Sequence, residues 1–385
     1  MILYIINAAV FSPLSSLLVL TRSGRMEITM KKIIAMLLSL TMVISLTACG
    51  SGSTSSSDAE VNSSGVSGAS SDTNSFTPVT WRFANQQGVD QPATRIDQQI
   101  CDEINEASAG RITVELYPNQ ALGDYTSVFD ELMLGTIEMA HISPVESYDN
   151  RVSATMIPYL GTDYETLLRA YRRDGYLFSQ VEEALGHLDI RLMGIFCEGY
   201  NGVGTTTPIQ NAATVGADKG VIIRSPMMDT YALDLMNLGF RVSSMPFSDT
   251  YTAAQTGVVQ GWAGAGVTGN YFVFRDLIKH FYDYRHTQEA TMIMVSDTAW
   301  QTLLPQDQEA ITGIIGRACE SSAQVAQEAD AKSATELEAM GVEIVNFTGE
   351  ELQAFTDSCH QNVWPQLSAN YPKEFLDNIL ADIEQ

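Results

Sequence analysis

Val221-Ile222-Ile223-Arg224-Ser225-Pro226 reads as a short buried strand that ends on a charge. Three β-branched residues suit the pleated surface of a sheet, and the proline after Ser225 cannot continue a ladder of hydrogen bonds. Arg224 therefore stands where a strand emerges from its sheet. Its planar, permanently charged guanidinium is suited there to gripping a carboxylate through two parallel hydrogen bonds. The chain beyond keeps a strand-helix rhythm. Residues 228–238 read as a helix, residues 241–245 as a strand leading into Met245-Pro246-Phe247-Ser248, and residues 258–262 as a strand ending on Trp262.

The same rhythm runs upstream. Residues 79–84 read as a strand, and residues 95–109 as a helix with Ile96, Ile100, Ile104 and Ala107 on one face, stopped by Gly110. Ile112, Val114 and Leu116 alternate as a second strand, residues 125–134 form a helix ended by Gly135, and residues 137–142 form a third strand. This order predicts a parallel sheet with right-handed crossovers, in which ligands sit beyond the carboxyl ends of the strands. Ser143 and Tyr148 follow one such end and are candidate ligand contacts.

Residues 166–185 read as one helix and residues 190–197 as an apolar strand. Glu198-Gly199-Tyr200-Asn201-Gly202-Val203-Gly204 follows as a hinge crossing between two sheets, because glycine accepts wide backbone angles. Residues 291–295 read as a returning strand, and Ser296 stands as a helix N-cap. Residues 306–340 keep a helical pattern without interruption, which at 1.5 Å per residue spans about 50 Å, enough to bridge two lobes. Thr348 with Glu351 predicts a capping box for a further helix in a helical tail.

With 385 residues, the chain is long enough for two lobes. A formal net charge of -25 speaks against a nucleic-acid or anionic-membrane surface, so attraction of an anion has to be local. Met30-Lys31-Lys32, the apolar residues 33–46 and Leu46-Thr47-Ala48-Cys49 read as an export signal with Met30 as its natural start. The apolar run is shorter than the roughly 20 residues a membrane span needs. Residues 50–75 are dominated by Ser and Gly and read as a flexible tether. Cys101, Cys197, Cys319 and Cys359 fit no zinc or redox spacing and read as scattered buried thiols.

The motifs of metalloproteases, serine hydrolases, Walker NTPases and kinases do not occur. Gly264-Ala265-Gly266-Val267-Thr268-Gly269 matches a dinucleotide fingerprint between a strand and a helical pattern over residues 270–281. Without a convincingly placed acidic residue downstream, it reads as a loop shaping a cleft. The five histidines are dispersed, and His286 near Asp283 reads as the decoration of a helix end.

Ile223-Arg224-x-Pro226, Met245-Pro246-Phe247-Ser248 and Tyr251-x-Ala253-x-Gln255-Thr256-Gly257-Val258-Val259-x-Gly261, with Ser108-Ala109-Gly110-Arg111-Ile112 and Leu134-Gly135-Thr136-Ile137-Glu138-Met139 upstream, form an ordered set. It resembles the substrate-binding (DctP-like) proteins of tripartite ATP-independent periplasmic (TRAP) transporters, over about residues 79–343. The resemblance implies an α/β, two-lobed periplasmic-binding-protein-like fold with a cleft between the lobes and a long helix spanning both. Leu46-Thr47-Ala48-Cys49 resembles a bacterial lipobox, which implies a signal peptide at 1–48 and a lipidated Cys49 with its tether at 49–75, and the lobes are expected at 76–203, completed by about 290–329, and at 204–289, completed by about 330–385.

The family resemblance further implies a non-catalytic protein that binds a small organic acid and delivers it to membrane permease subunits. Such a protein would be exported and held by lipid at the outer face of the cytoplasmic membrane, with no nucleic-acid partner. Arg224 would pair with the carboxylate, Phe247 and Trp262 would be walls, and Tyr200 and Gly264 would be further contacts. Where sialic-acid-binding relatives place a second arginine, this chain has Gly204, and Gly264 replaces a frequent asparagine. Ala263 and Gly261 flank Trp262 where metal-using relatives place a carboxylate, so neither metal nor cofactor is expected. The alternatives are a sensor subunit for a membrane receptor and an exported nicotinamide-dependent oxidoreductase.

Overall fold

The computed structural model describes residues 77–161 and 163–384. The signal segment, Cys49 and the tether lie outside the described residues. Parallel strands β1 (Val79–Asn85), β2 (Ile112–Tyr117) and β3 (Met139–Ile142) are joined by α1 (Pro92–Ala107) and α2 (Tyr125–Met133). A proline opens α1, where a missing N–H costs nothing, and Asp124 caps α2 by accepting from the Thr126 N–H.

After a 3₁₀ segment at Asn150–Met156, the stretch expected as one helix is two, α3 (Tyr164–Ala170) and α4 (Tyr176–Gly186). The break frees the Tyr176 N–H from the helix ladder, and it donates to Asp382 instead, tying the turn to the C-terminal helix.

Two long antiparallel strands organise the molecule. β4 (Ile190–Thr205) incorporates the glycine-rich passage that the sequence predicts as a crossing between sheets, and a later strand, His280–Ser296, pairs with it over nearly its full length. The second half adds β5 (Ile222–Ser225), α5 (Asp229–Leu238), β6 (Arg241–Ser244), α6 (Phe247–Gln255), β7 (Gly261–Trp262) and α7 (Val267–Gly269). A π turn at Asn270–Phe274 and then β8 (His280–Ser296) replace the helix expected over residues 270–281.

Because β4 and β8 serve both halves, one nine-stranded sheet runs in the order β2-β1-β3-β8-β4-β7-β5-β6, with a ninth strand on β8. The correction from two sheets to one has a physical basis: bulges after Leu192, Cys197 and Asn201 let the shared strands bend without breaking the ladder.

Ser296 precedes α8 (Asp297–Trp300), but its hydroxyl makes no capping bond. The long helix α9 (Pro305–Ala339) has 35 residues. It contributes Ile311 and Ile315 to a core with Trp81, Phe83 and Ile293, and Leu337 to a second core with Trp262, Phe274 and Phe281. A third core, continuous across the sheet, joins Leu192, Met292, Ile223 and Tyr231.

β9 (Glu343–Asn346), α10 (Gly349–Asn362) with its Thr348–Glu351 capping box, α11 (Trp364–Leu367) and α12 (Phe375–Ile383) complete the chain. His286 does not decorate a helix end. It is buried in β8 with Nδ1 at 3.1 Å from Asp234 of α5.

Candidate functional site

The strand ends converge on a cleft walled by the β1–α1 loop, β4, β5, β8, the loop before α7 and the middle of α9. Arg224 at the end of β5 is 2% exposed. Its Nε donates to the Met245 carbonyl and its Nη1 to the Ala263 carbonyl, each at 3.0 Å. The guanidinium carbon lies 5.6 Å from the centre of the Phe247 ring. Burial holds the Arg224 pKa below its usual value, opposed by Tyr125, Tyr231 and Glu289; a guanidinium stays charged under such a shift.

Among the described residues the Arg224 side chain donates to two backbone carbonyls and forms no salt bridge with a carboxylate. Beside it the Tyr125 hydroxyl, buried at the same wall, finds no acceptor. A cation and a hydroxyl donor thus remain to be satisfied at one place.

Gly264 makes this placement possible. It adopts φ +85, and a Cβ there would lie 2.8 Å from Pro226 Cγ and 2.9 Å from Arg224 Nη1. Phe247 and Ser143 also belong to the wall. Ser143 Oγ accepts from Gln86 Nε2 at 2.8 Å and donates to Glu289 at 3.3 Å.

Three other sequence candidates lie off the wall. Trp262 is fully buried, with Nε1 donating to Asn270 Oδ1 at 2.8 Å and its ring 4.4 Å from Phe274. Its indole occupies the space left by Gly204, where a Cβ would meet Nε1 at 2.8 Å. The bulge after Cys197 turns Tyr200 away, and its hydroxyl bonds to the Gly161 carbonyl. Tyr148 is 49% exposed, stacks on Phe129 and donates to Asp130.

Sequence reasoning missed Gln87, Glu198 and Glu289. Gln87 Nε2 donates to both Glu198 oxygens at 2.8 and 2.9 Å, and Thr291 Oγ1 donates to one at 2.7 Å. Behind them His141 pairs with buried Asp97 at 2.9 Å. Burial alone would push the His141 pKa down, but Asp97 and Glu198 raise it.

Glu289 accepts from Asn201 Nδ2 at 3.0 Å. Burial, and then the charge of Glu198, push the Glu289 carboxyl up to about 7, against the pull of Asn201, Ser143 and Arg224. The available signal was a carboxylate inside an apolar strand: Glu198 at the end of the residue 190–197 run, Glu289 just before residues 290–295.

The model of the bacterial extracellular solute-binding proteins, family 7 (DctP), matches residues 83–369, and the chain belongs to that family. It is 24% identical over 307 residues to the sialic acid-binding periplasmic protein SiaP of Vibrio cholerae, covering 79% of this chain and 92% of that protein. A TRAP periplasmic solute-binding protein of Shewanella oneidensis, solved with bound succinate, superposes with a TM-score of 0.71 at 19% identity, covering 80% of this chain and 100% of that one. The sugar acid binding protein DctPAm of Advenella mimigardefordensis, in complex with galactonate, gives 0.73 at 17% identity, covering 80% and 99%.

The fold is therefore the two-lobed one of these proteins, and the chain is a solute-binding protein, not an enzyme. The oxidoreductase alternative falls with that. Its glycine loop follows a strand of two residues and opens a helix of three, and Gly264, Gly266 and Gly269 line the cleft instead.

Proposed function

We propose that the cleft captures a small organic acid by its carboxylate and that the protein presents it to a TRAP-type membrane permease. The observation that carries this reading is Arg224: a cation at 2% exposure, on the cleft wall, with no carboxylate partner among the described residues. A buried charge without a partner costs several kcal/mol, and an acid ligand offsets that cost through charge-assisted bonds to Arg224 and the Tyr125 hydroxyl. Succinate and galactonate, bound by the two solved relatives, are both acids.

Phe247, Gly264 and Ser143 complete the proposed contact set. Trp262 would support the Arg224 wall from behind, Tyr200 would serve the hinge, and Tyr148 would lie on the rim. The lobes are those at 76–203 and 204–289 with their later completions, closing about residues 199–204 and 287–289. With a signal peptide removed after residue 48, lipid on Cys49 would hold the protein by a tether at the outer face of the cytoplasmic membrane.

Thermal melting and calorimetry of the purified full chain against mono- and dicarboxylates, keto acids, aromatic acids, amino acids and sugar acids test the reading. At a hundred times its dissociation constant a ligand adds about 2.7 kcal/mol of stability. One acid class is expected to stabilise the wild type, and Arg224→Ala is expected to melt cooperatively yet lose the effect. Binding that is indifferent to Arg224→Ala would overturn the assignment.

A further inference from the structure

The charged side chains among the described residues lining the cleft are Arg224, Glu198 and Glu289. An acid ligand accounts for the first and aggravates the other two. Cys197 pairs with Ala290 and Tyr200 with Gln288, so Glu198 meets Glu289 across the β4–β8 pair at the bulge. Like charges opposite one another on neighbouring strands are destabilising, and exclusion of water raises that cost.

What the protein supplies in return is neutral. Gln87 and Thr291 serve Glu198, and Asn201 and Ser143 serve Glu289. His141 is engaged with Asp97, and neither glutamate has an ion-pair partner among the described residues. With a carboxylate seated on Arg224, a closed cleft would leave these two carboxyl groups either to ionise without a counter-charge or to hold a proton.

Hydrogen-bond accounting separates the two glutamates. A carboxylate offers about four lone-pair sites. Glu198 already accepts three bonds and Glu289 only two. Glu289 is half-buried in the strand, its remaining surface opening on the cleft. A positively charged donor seated there would satisfy the lone pairs and the charge together, whereas a ligand hydroxyl would add only another neutral donor.

We infer that the solute is zwitterionic, with its carboxylate on Arg224 and a protonated nitrogen against Glu289, within the field of Glu198. This rests on the organic-acid reading above and narrows it to amino acids and related nitrogen-bearing acids.

The test is calorimetric titration of the purified full chain with matched pairs: alanine against lactate, 4-aminobutanoate against 4-hydroxybutanoate, and proline against cyclopentanecarboxylate. Galactonate and glucuronate serve as nitrogen-free sugar acids, and every titration is repeated with a chelator and in Arg224→Ala and Glu289→Gln. A nitrogen-bearing acid is expected to bind at least about 30-fold tighter than its partner, the scale of a buried charge pair. Glu289→Gln, still melting cooperatively, is expected to remove that preference.

A nitrogen-free acid that binds as tightly, a preference that survives Glu289→Gln, or binding abolished by the chelator would overturn the inference and leave the acid reading standing. If none of these acids binds, or if Arg224→Ala changes nothing, both fall.

Discussion

Gly264 shows how much of a binding site can rest on a missing side chain. Its φ of +85 lies where side-chain-bearing residues rarely sit, and a Cβ would press on Arg224 and Pro226. Gly264→Ala is therefore expected to cost about 1–3 kcal/mol of stability and to weaken acid binding by displacing the guanidinium; denaturant unfolding and titration of the variant read the two effects separately. Glu289 makes a prediction in pH. Its folded pKa is raised from 4.5 to about 7, so the folded protein holds a proton that the unfolded chain has lost across that interval. Stability of the unliganded protein should fall as pH rises through the window. Glu289→Gln should remove that part of the slope and raise the melting temperature above pH 7, with little change near pH 4; an unchanged slope would contradict this.

At the scale of elements, the bulge in β4 carries the argument. Gly199 sits at φ +109, and a Cβ would come within 2.5 Å of Asp330 Oδ2 on α9. Asp330 in turn accepts from Thr268 Oγ1 at 2.6 Å and from the Tyr164 hydroxyl at 3.4 Å. One carboxylate thus ties the long helix to α7 and to α3. Gly199→Ala should loosen all three, lowering the denaturant midpoint and the ligand affinity together, whereas a purely local defect would lower the midpoint alone. No residue of α10 or its Thr348–Glu351 box lines the cleft; Thr348→Ala should cost about 1 kcal/mol and leave ligand affinity unchanged.

For the whole molecule, two carboxylates from the first half of the chain reach helix N-termini of the second. Glu146 accepts from the Asp229 N–H at 2.5 Å and from Ser153 Oγ at 2.8 Å. Asp124 stands 3.4 Å from the Ser248 N–H. An anion at the start of a helix is favourable by about 0.3–1 kcal/mol, a bias that helps hold the lobes together. Glu146→Ala should shift the unliganded protein toward an open form, seen as a larger radius of gyration in solution scattering. It should also weaken binding a few-fold, since the closed form is then less populated. A saturating ligand should restore the compact form.

Local patterning was sufficient for much of this protein. The β-branched run before Arg224, the helix stops at Gly110 and Gly135, the capping box and the length of α9 are all written in neighbouring residues. The strand-end position of Arg224 followed from its own hexapeptide. Only the tertiary structure decided which aromatic faces the cleft, because Trp262 turns inward over Gly204, a residue 58 positions earlier. The same holds for Glu198 and Glu289, which meet across a strand pair although the elements from β5 to the π turn lie between them in the chain. The bulge at Gly199, by shifting the register by one residue, chose the side of the sheet for Tyr200. A side chain's element is set by residues within a turn or two of it, whereas its neighbours depend on register and packing between distant segments, which no local pattern encodes.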